Sequence, residues 1–383
     1  MPHIKVRPFD IQILNRLKNL EFCGIGKRGS ELLLMLKSKE GRLFFDLIKR
    51  EDEYLIKPNK ITKSANTELL KKSLNKIASK LNLEVLLSNT TAKNIASKKR
   101  DKYLKSIEDF YSFKTAFKKI KLEVGFGSGR HLLYRAKNEP KTLYIGVEIH
   151  TPSINQTLRQ IELNGLKNVI ILNYDARLLL EMLPSNILNK IYVHFPVPWD
   201  KKPHRRVISD GFLKESIRVL KKGSSLELRT DSINYYQYSL EIFSKPKKAN
   251  FKVEKNIDIE VRSKYEDRWR RMNKDIYTLT FKSLKKSKKR DLKFNFNFKV
   301  PKSEISLPKD SIVKDDFFVH FGRVYKGLSD NSMVVECAFG DFAKPEKKML
   351  YISDTKCKYY PSTPVKSKAN YKAHKFIKEV ING

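Results

Sequence analysis

KLEVGFGSGR, Lys121 to Arg130, decides how the rest of this chain is read. Leu122 and Val124 suit a buried strand, and Gly125, Gly127 and Gly129 follow at once, where the backbone can turn sharply and approach a ligand with no side chain between. His131, Leu132, Leu133 and Ala136 then recur at helical spacing until Asn138 and Pro140 stop the helix. Strand, glycine turn and helix are the build of a nucleotide-cofactor loop. Glycine-rich turns also arise for purely structural reasons, so the reading depends on what surrounds this one.

The chain has 383 residues with 40% hydrophobic content, enough for two or three folded domains. Lys and Arg number 79 against 42 Asp and Glu, a formal net charge of +37. Such a charge calls for a polyanionic partner, and nucleic acid outranks an anionic membrane. No apolar run approaches the length of a membrane span, and MPHIKVRPFD has no signal-peptide core, so a cytoplasmic protein is expected. Cys23, Cys337 and Cys357 are odd in number and far apart, and the seven His are scattered. Neither a disulfide framework nor a metal site is expected.

Outward from the glycine turn, apolar strands alternate with helical stretches. Strands are expected at Leu122 to Val124, Leu143 to Val147, Val169 to Leu172, Ile191 to Phe195 and Leu226 to Arg229. The clearest helix begins at Thr151 with Pro152 in its first turn and stops at Gly165. Phe251 to Ile259 and Ile276 to Phe281 read as a closing strand pair. The fold class is therefore α/β, a doubly wound, mostly parallel sheet spanning residues 112–284. Residues 1–111 read as a basic α+β module with a Lys-rich helix from about Ala65 to Lys80. Residues 285–383 read as a basic linker followed by a second α+β module, with strands around Phe317 to Tyr325 and Met333 to Ala338 and a helix from Ala369 to Ile381. A strand followed by a Lys-rich helix occurs in both, ITKSANTELLKKSL and VKSKANYKAHKFI, a likeness too weak to define a repeat.

Chemistry gathers at the carboxyl ends of the middle strands, where doubly wound sheets bind ligands. Glu148 ends the second strand and is placed to accept the hydroxyl hydrogens of a cofactor ribose. Asp175, after the third, can accept from an adenine amine. Glu123 lies inside the first strand, where a carboxylate is costly unless paired or facing a ligand; a sulfonium or ammonium would compensate it and a pyrophosphate would repel it. The fourth strand ends in FPVPWDKKPHRR, Phe195 to Arg206. Its prolines fix the loop, Trp199 offers a face for stacking, and its basic cluster suits phosphates. Asp231 ends the fifth strand, and Ser263-Lys264-Tyr265-Glu266 precedes the last strand pair.

LEVGFGSG, GVEIH, the Asp175 segment, FPVPWDKKPHRRV, LELRTD and SKYEDRW, in this order, resemble the bacterial tRNA (guanine-N7)-methyltransferases over about residues 115 to 282. The resemblance implies a class I methyltransferase sheet of seven strands, S-adenosylmethionine as cofactor, and a variable-loop guanine at position 46 of tRNA as substrate. It also implies that Glu123, Gly125, Gly127, Gly129, Glu148 and Asp175 hold the cofactor, and that Lys201, Asp231, Ser263 and Glu266 line the tRNA side. Two positions depart from the family pattern: Val197 stands where the loop usually carries Asp, and Ser263 where it carries Thr. Guanine N7 has a free lone pair, so no strong base is needed; positioning and charge stabilisation carry the rate, with Asp231 as the catalytic carboxylate. A tRNA-binding protein that keeps the fold with reduced or lost catalysis is the alternative. A nicotinamide dehydrogenase fits poorly, because the spacing is GxGxG and Glu123 opposes a pyrophosphate. The sequence leaves monomer or homodimer open and offers no role for the flanking modules beyond further RNA contacts.

Overall fold

Alternating apolar and polar residues between turns build two sheets in this chain, each in its own compact unit. The computed structural model describes residues 2–39, 41–62, 67–91, 102–290, 294–302, 304–342 and 344–382. The first residues of the helix expected from Ala65, and the end of the basic linker, lie outside them.

One unit comprises Ala96–Lys293 with Val365–Ser367. Its elements are β1 (Leu104–Lys105), β2 (Lys119–Val124), α1 (Arg130–Asn138), β3 (Thr142–Glu148), α2 (Thr151–Leu163), β4 (Val169–Asn173), α3 (Ala176–Met182), β5 (Leu188–His194), α4 (Asp210–Val219), β6 (Leu220–Thr230), α5 (Ile233–Ser244), β7 (Asn250–Lys255), α6 (Lys264–Arg271) and β8 (Tyr277–Lys282). The strand order is β7-β8-β6-β5-β2-β3-β4-β1. Strands β1 to β6 pair in parallel, and β8 runs antiparallel to both neighbours. All five expected parallel strands and the closing pair are present. Among the described residues the sheet has eight strands rather than seven, because the two-residue edge strand β1 is too short to leave a periodic signal. The order reverses on either side of β2, which puts the switch point, and the crevice it creates, at the ends of β2 and β5. Leu122, Ile145, Ile191, Leu226 and Leu228 are buried in the core beside Phe212 and Phe243.

The other unit comprises Met1–Ile95, Phe294–Pro364 and Lys368–Gly383. Among the described residues its sheet has eleven strands, all paired antiparallel. The two segments flanking the α/β unit, read from sequence as separate modules, here pair into that one sheet. Each supplies a four-strand meander followed by a helix: Leu20–Gly26, Glu31–Ser38, Gly41–Lys49, Tyr54–Pro58 and helix Thr67–Lys80, then Phe318–Gly327, Met333–Asp341, Lys344–Ser353, Lys356–Tyr360 and helix Lys368–Asn382. The first strands of the two meanders join antiparallel, with Gly26 opposite Tyr325 and Gly24 opposite Gly327. Both helices pack on one face of the sheet, the first over Leu32, Leu34 and Phe45, the second over Val319, Cys337 and Leu350. The opposite face buries Phe22, Met35 and Phe44 with Tyr325, Val334 and Met349 in a single cluster drawn from both meanders. Among the described residues no helix is long and apolar enough to cross a membrane.

Candidate active site

The glycine loop leaves β2 with Gly125, Gly127 and Gly129 all in the left-handed region, at φ +68°, +53° and +75°. Gly129 caps α1, and a Cβ there would lie 2.6 Å from Thr157 Oγ1. A Cβ on Gly125 or Gly127 would meet nothing within 4 Å, so the space over the loop is open. Glu148 holds the loop from the end of β3: its Oε2 accepts from Gly127 N (3.0 Å), and its Oε1 accepts from Ile149 N (2.8 Å) and His150 N (3.0 Å). Oε1 is thereby saturated, and Oε2 retains one lone pair for a further donor. Asp175 caps α3, accepting from Arg177 N (2.8 Å) and pairing with the Arg177 guanidinium (2.7 Å).

Glu123 is 3% exposed, and its Oε2 shares a 2.7 Å hydrogen bond with His131 Nδ1. The partner that sequence reasoning sought in a ligand cation is thus present inside the chain, in the first turn of α1. The His131 ring lies 4.8 Å from His194, whose Nε2 meets Glu227 Oε1 at 2.8 Å; Lys190 reaches the other oxygen at 2.6 Å. Register explains the cluster: Glu123 stands opposite Tyr192, and Tyr192 opposite Glu227, so these residues share one face of the sheet. Burial pushes His194 below the ordinary histidine range. Burial alone would raise Glu227, but the His194 hydrogen bond and charge, with Lys190, hold it well below the usual carboxylate range.

The loop after β5 is bent near its start by two non-glycine residues in the left-handed region, Phe195 at φ +51° and Trp199 at +49°. Arg206 holds it. This side chain is 6% exposed, donates from Nε to the Pro198 carbonyl (2.7 Å), pairs with Asp200 (3.0 Å), and stacks on Tyr238 with 4.6 Å to the ring centre. Arg205 lies over Trp199 at 5.1 Å. Lys201 and Lys202 are exposed, and Val197 is 60% exposed. Of the basic run read as phosphate contacts, Arg206 is therefore a buried brace for the loop.

Asp231, just past β6, pairs with Lys274 at 2.9 Å, and Lys274 lies 4.0 Å from the Trp269 ring centre. Ser263 caps α6 by accepting from Glu266 N (3.1 Å), half of a capping box. Glu266 itself is 1% exposed and turned inward: its carboxylate pairs with Arg229 (2.7 Å) and Arg270 (3.1 Å), while Arg229 also donates to Thr278 (2.7 Å). Ser263 and Glu266, expected to line the tRNA side, begin α6 and anchor it to the sheet. Arg130–Asp267 and the bonds from Tyr134 and Arg135 to Glu260, each 2.9 Å, tie the α6 region to α1. His131, His194, Arg206, Arg229 and Glu227 were not singled out from the sequence. Of the features missed, the S-x-x-E spacing at 263–266 was a readable helix-start signal. Among the described residues no group of His, Cys, Asp and Glu could hold a metal ion.

A parallel sheet closed by one antiparallel strand, with a glycine loop braced by an acid and a basic loop beside it at the switch point, defines a methyltransferase-type α/β unit. Residues 118–279 match a family model described as "Putative methyltransferase". A tRNA (guanine-N(7)-)-methyltransferase of Wolinella succinogenes is 41% identical over 90% of this chain and 89% of its own. Proteins of that name from Campylobacter fetus and Helicobacter pylori J99 are 38% and 40% identical over 95% and 88% of this chain, and 94% and 84% of theirs. A solved antibiotic-related methyltransferase aligns with 51% of this chain and 98% of its own at 19% identity and a TM-score of 0.36. The chain belongs to the tRNA (guanine-N7)-methyltransferase family.

Proposed function

We propose that this protein transfers a methyl group from S-adenosylmethionine to N7 of guanine 46 in the variable loop of tRNA. The observation that carries the reading is the placement, on either side of one switch point, of an open glycine loop and a braced basic loop that ends in exposed Lys201 and Lys202. The activity is that of the relatives' name, and similarity to them spans both units.

The residues fit the cofactor. The backbone at Gly125 and Gly127 is open to a close approach, Glu148 Oε2 keeps one lone pair for a ribose hydroxyl, and Asp175 stands after β4 as an acceptor for the adenine amine. When bound, S-adenosylmethionine supplies a methyl made electrophilic by its sulfonium. The guanine N7 lone pair forms the new bond and no proton has to leave, so the chain's task is to orient the base and to stabilise the positive charge that develops on the purine. Trp199 and the Arg205 guanidinium offer stacking surface, and Lys201 offers a phosphate contact. Asp231 faces the developing charge from the end of β6, and Lys274 keeps that carboxylate oriented until the purine competes for it.

Removing the carboxylate should lower kcat by tenfold or more at saturating tRNA, on the scale of one electrostatic stabiliser. A wild-type rate for Asp231→Ala would remove Asp231 from the chemistry. Val197, exposed at the loop position where the family pattern has Asp, favours the second reading, a tRNA-binding protein with reduced or lost catalysis. Calorimetric titration with S-adenosylmethionine separates the enzyme, which binds it, from a protein that has lost catalysis by losing the cofactor, and kcat at saturating tRNA separates it from one whose catalysis is reduced.

A further inference from the structure

We infer that the non-catalytic unit is a duplicated RNA clamp, in which the helices Thr67–Lys80 and Lys368–Asn382 each present a lysine stripe to the phosphate backbone of the tRNA. The inference rests on the tRNA-methyltransferase reading and adds to it a second binding surface.

The duplication is visible in the element starts. Strands beginning at Glu31, Gly41 and Tyr54 are matched by strands beginning at Met333, Lys344 and Lys356, and the helix from Thr67 by the helix from Lys368. The spacing between partners stays close to 300 residues across four elements. The halves meet through their first strands, and both helices cover the same sheet face. Leu70, Leu74 and Ala78 of the first helix bury the face that Ala373, Ile377 and Ile381 bury in the second.

The opposite sides of both helices are alike in charge. TELLKKSLNKIASK and KANYKAHKFIKEVIN each carry four lysines and a single acid. Lys72, Lys76 and Lys80 fall at i, i+4 and i+8, and Lys368, Lys372 and Lys375 at i, i+4 and i+7, so each set forms one stripe of about 11–12 Å. All six are exposed. Lys72 has only a 3.8 Å contact with Glu68, and Lys372 pairs with Asp316. Among the described residues no acid pairs with Lys76, Lys80, Lys368 or Lys375. The single acid of each helix lies at i±4 from one stripe lysine, Glu68 from Lys72 and Glu379 from Lys375, which leaves the other two lysines of each stripe unmatched on their helix; a phosphate backbone needs such cations repeated along a line. An element order, a buried face and a lysine stripe all occurring twice favour a polyanion that engages both copies.

The test uses the full chain and an unmodified tRNA transcript. Two triple variants, K72E/K76E/K80E and K368E/K372E/K375E, are compared with wild type for tRNA affinity across a salt series, for kcat at saturating tRNA, and for S-adenosylmethionine affinity. Each should weaken tRNA binding by about tenfold and flatten the plot of log affinity against log salt by about 2, with roughly additive effects when combined. The kcat and cofactor affinity should stay at wild-type values, and Lys→Arg at the same positions should restore tRNA affinity. Wild-type affinity and slope in both triple variants would overturn the clamp, and loss in only one would overturn the duplication of its role. Salt-dependent capture by anionic lipid vesicles, with tRNA binding unchanged, would also overturn it. Failure of the functional reading looks different: wild type would then bind tRNA through these helices without methylating it.

Discussion

Val197 shows how a departure at one residue is contained by its neighbours. The loop that carries it does not depend on that side chain for shape, because Arg206 holds the Pro198 carbonyl and Asp200 from within, on the face of Tyr238. Arg206→Ala should release a loop bent through the left-handed region at Phe195 and Trp199 and lower kcat by roughly ten- to a hundredfold, the scale of a small misplacement of reacting groups. S-adenosylmethionine affinity and the salt slope for tRNA should be unchanged. Trp199 reports the loop directly in a Trp269→Phe background, since the chain has only two tryptophans. A shifted emission maximum is expected in Arg206→Ala and an unshifted one in Arg206→Lys only if charge alone suffices. Unchanged kcat and emission in Arg206→Ala would remove the brace from the account. From sequence, Arg206 was one cation in a basic run. Its partner is a carbonyl eight residues back across a tight turn, and no spacing rule marks such a bond.

Elements that bury polar groups are where sequence reasoning stopped short. The glycine loop, the strands and their carboxyl-end acids were legible because they follow period, turn chemistry and strand-end position. Glu123 was legible as an anomaly, but its resolution needed His131 brought round by the first turn of α1. Glu266 was placed on the tRNA side by the family resemblance. Its carboxylate instead satisfies Arg229, which is 0% exposed, from the middle of β6. Glu266→Gln should therefore cost about 3–5 kcal/mol, as expected when one member of a buried ion pair is removed, read as a lower urea midpoint. A loss under 1 kcal/mol would mean that water or Arg270 rearrangement carries Arg229 without it. The helix Lys368–Asn382 supplies a pH test. His374, sharing a 3.0 Å hydrogen bond with the Tyr359 hydroxyl, is pushed down to about 4 by burial. The folded form thus refuses a proton that the unfolded chain binds near 6.5, so stability holds above that pH and falls as pH drops from about 6.5 toward 4. The loss between pH 7.5 and 5 should be about 2 kcal/mol, and His374→Leu should abolish that increment in urea titrations. An equal pH dependence in both proteins would contradict it.

At the scale of the whole molecule, the formal charge of +37 was the first sign of a polyanionic substrate, and it remains the broadest. The strands of the α/β unit were readable from sequence because they are joined by local βαβ connections. The other unit was divided in two because its central pairing joins strands about 300 residues apart, and pairing at that separation leaves no local trace. The likeness of the two Lys-rich helices was the surviving clue to the duplication. Methyl transfer from labelled S-adenosylmethionine to an unmodified tRNA transcript, with the modified base mapped, tests the central claim most directly. Label at N7 of the variable-loop guanine, lost when that guanine is replaced by adenine, is the result predicted. Label on another base, or none from a protein that binds both cofactor and tRNA, would contradict it.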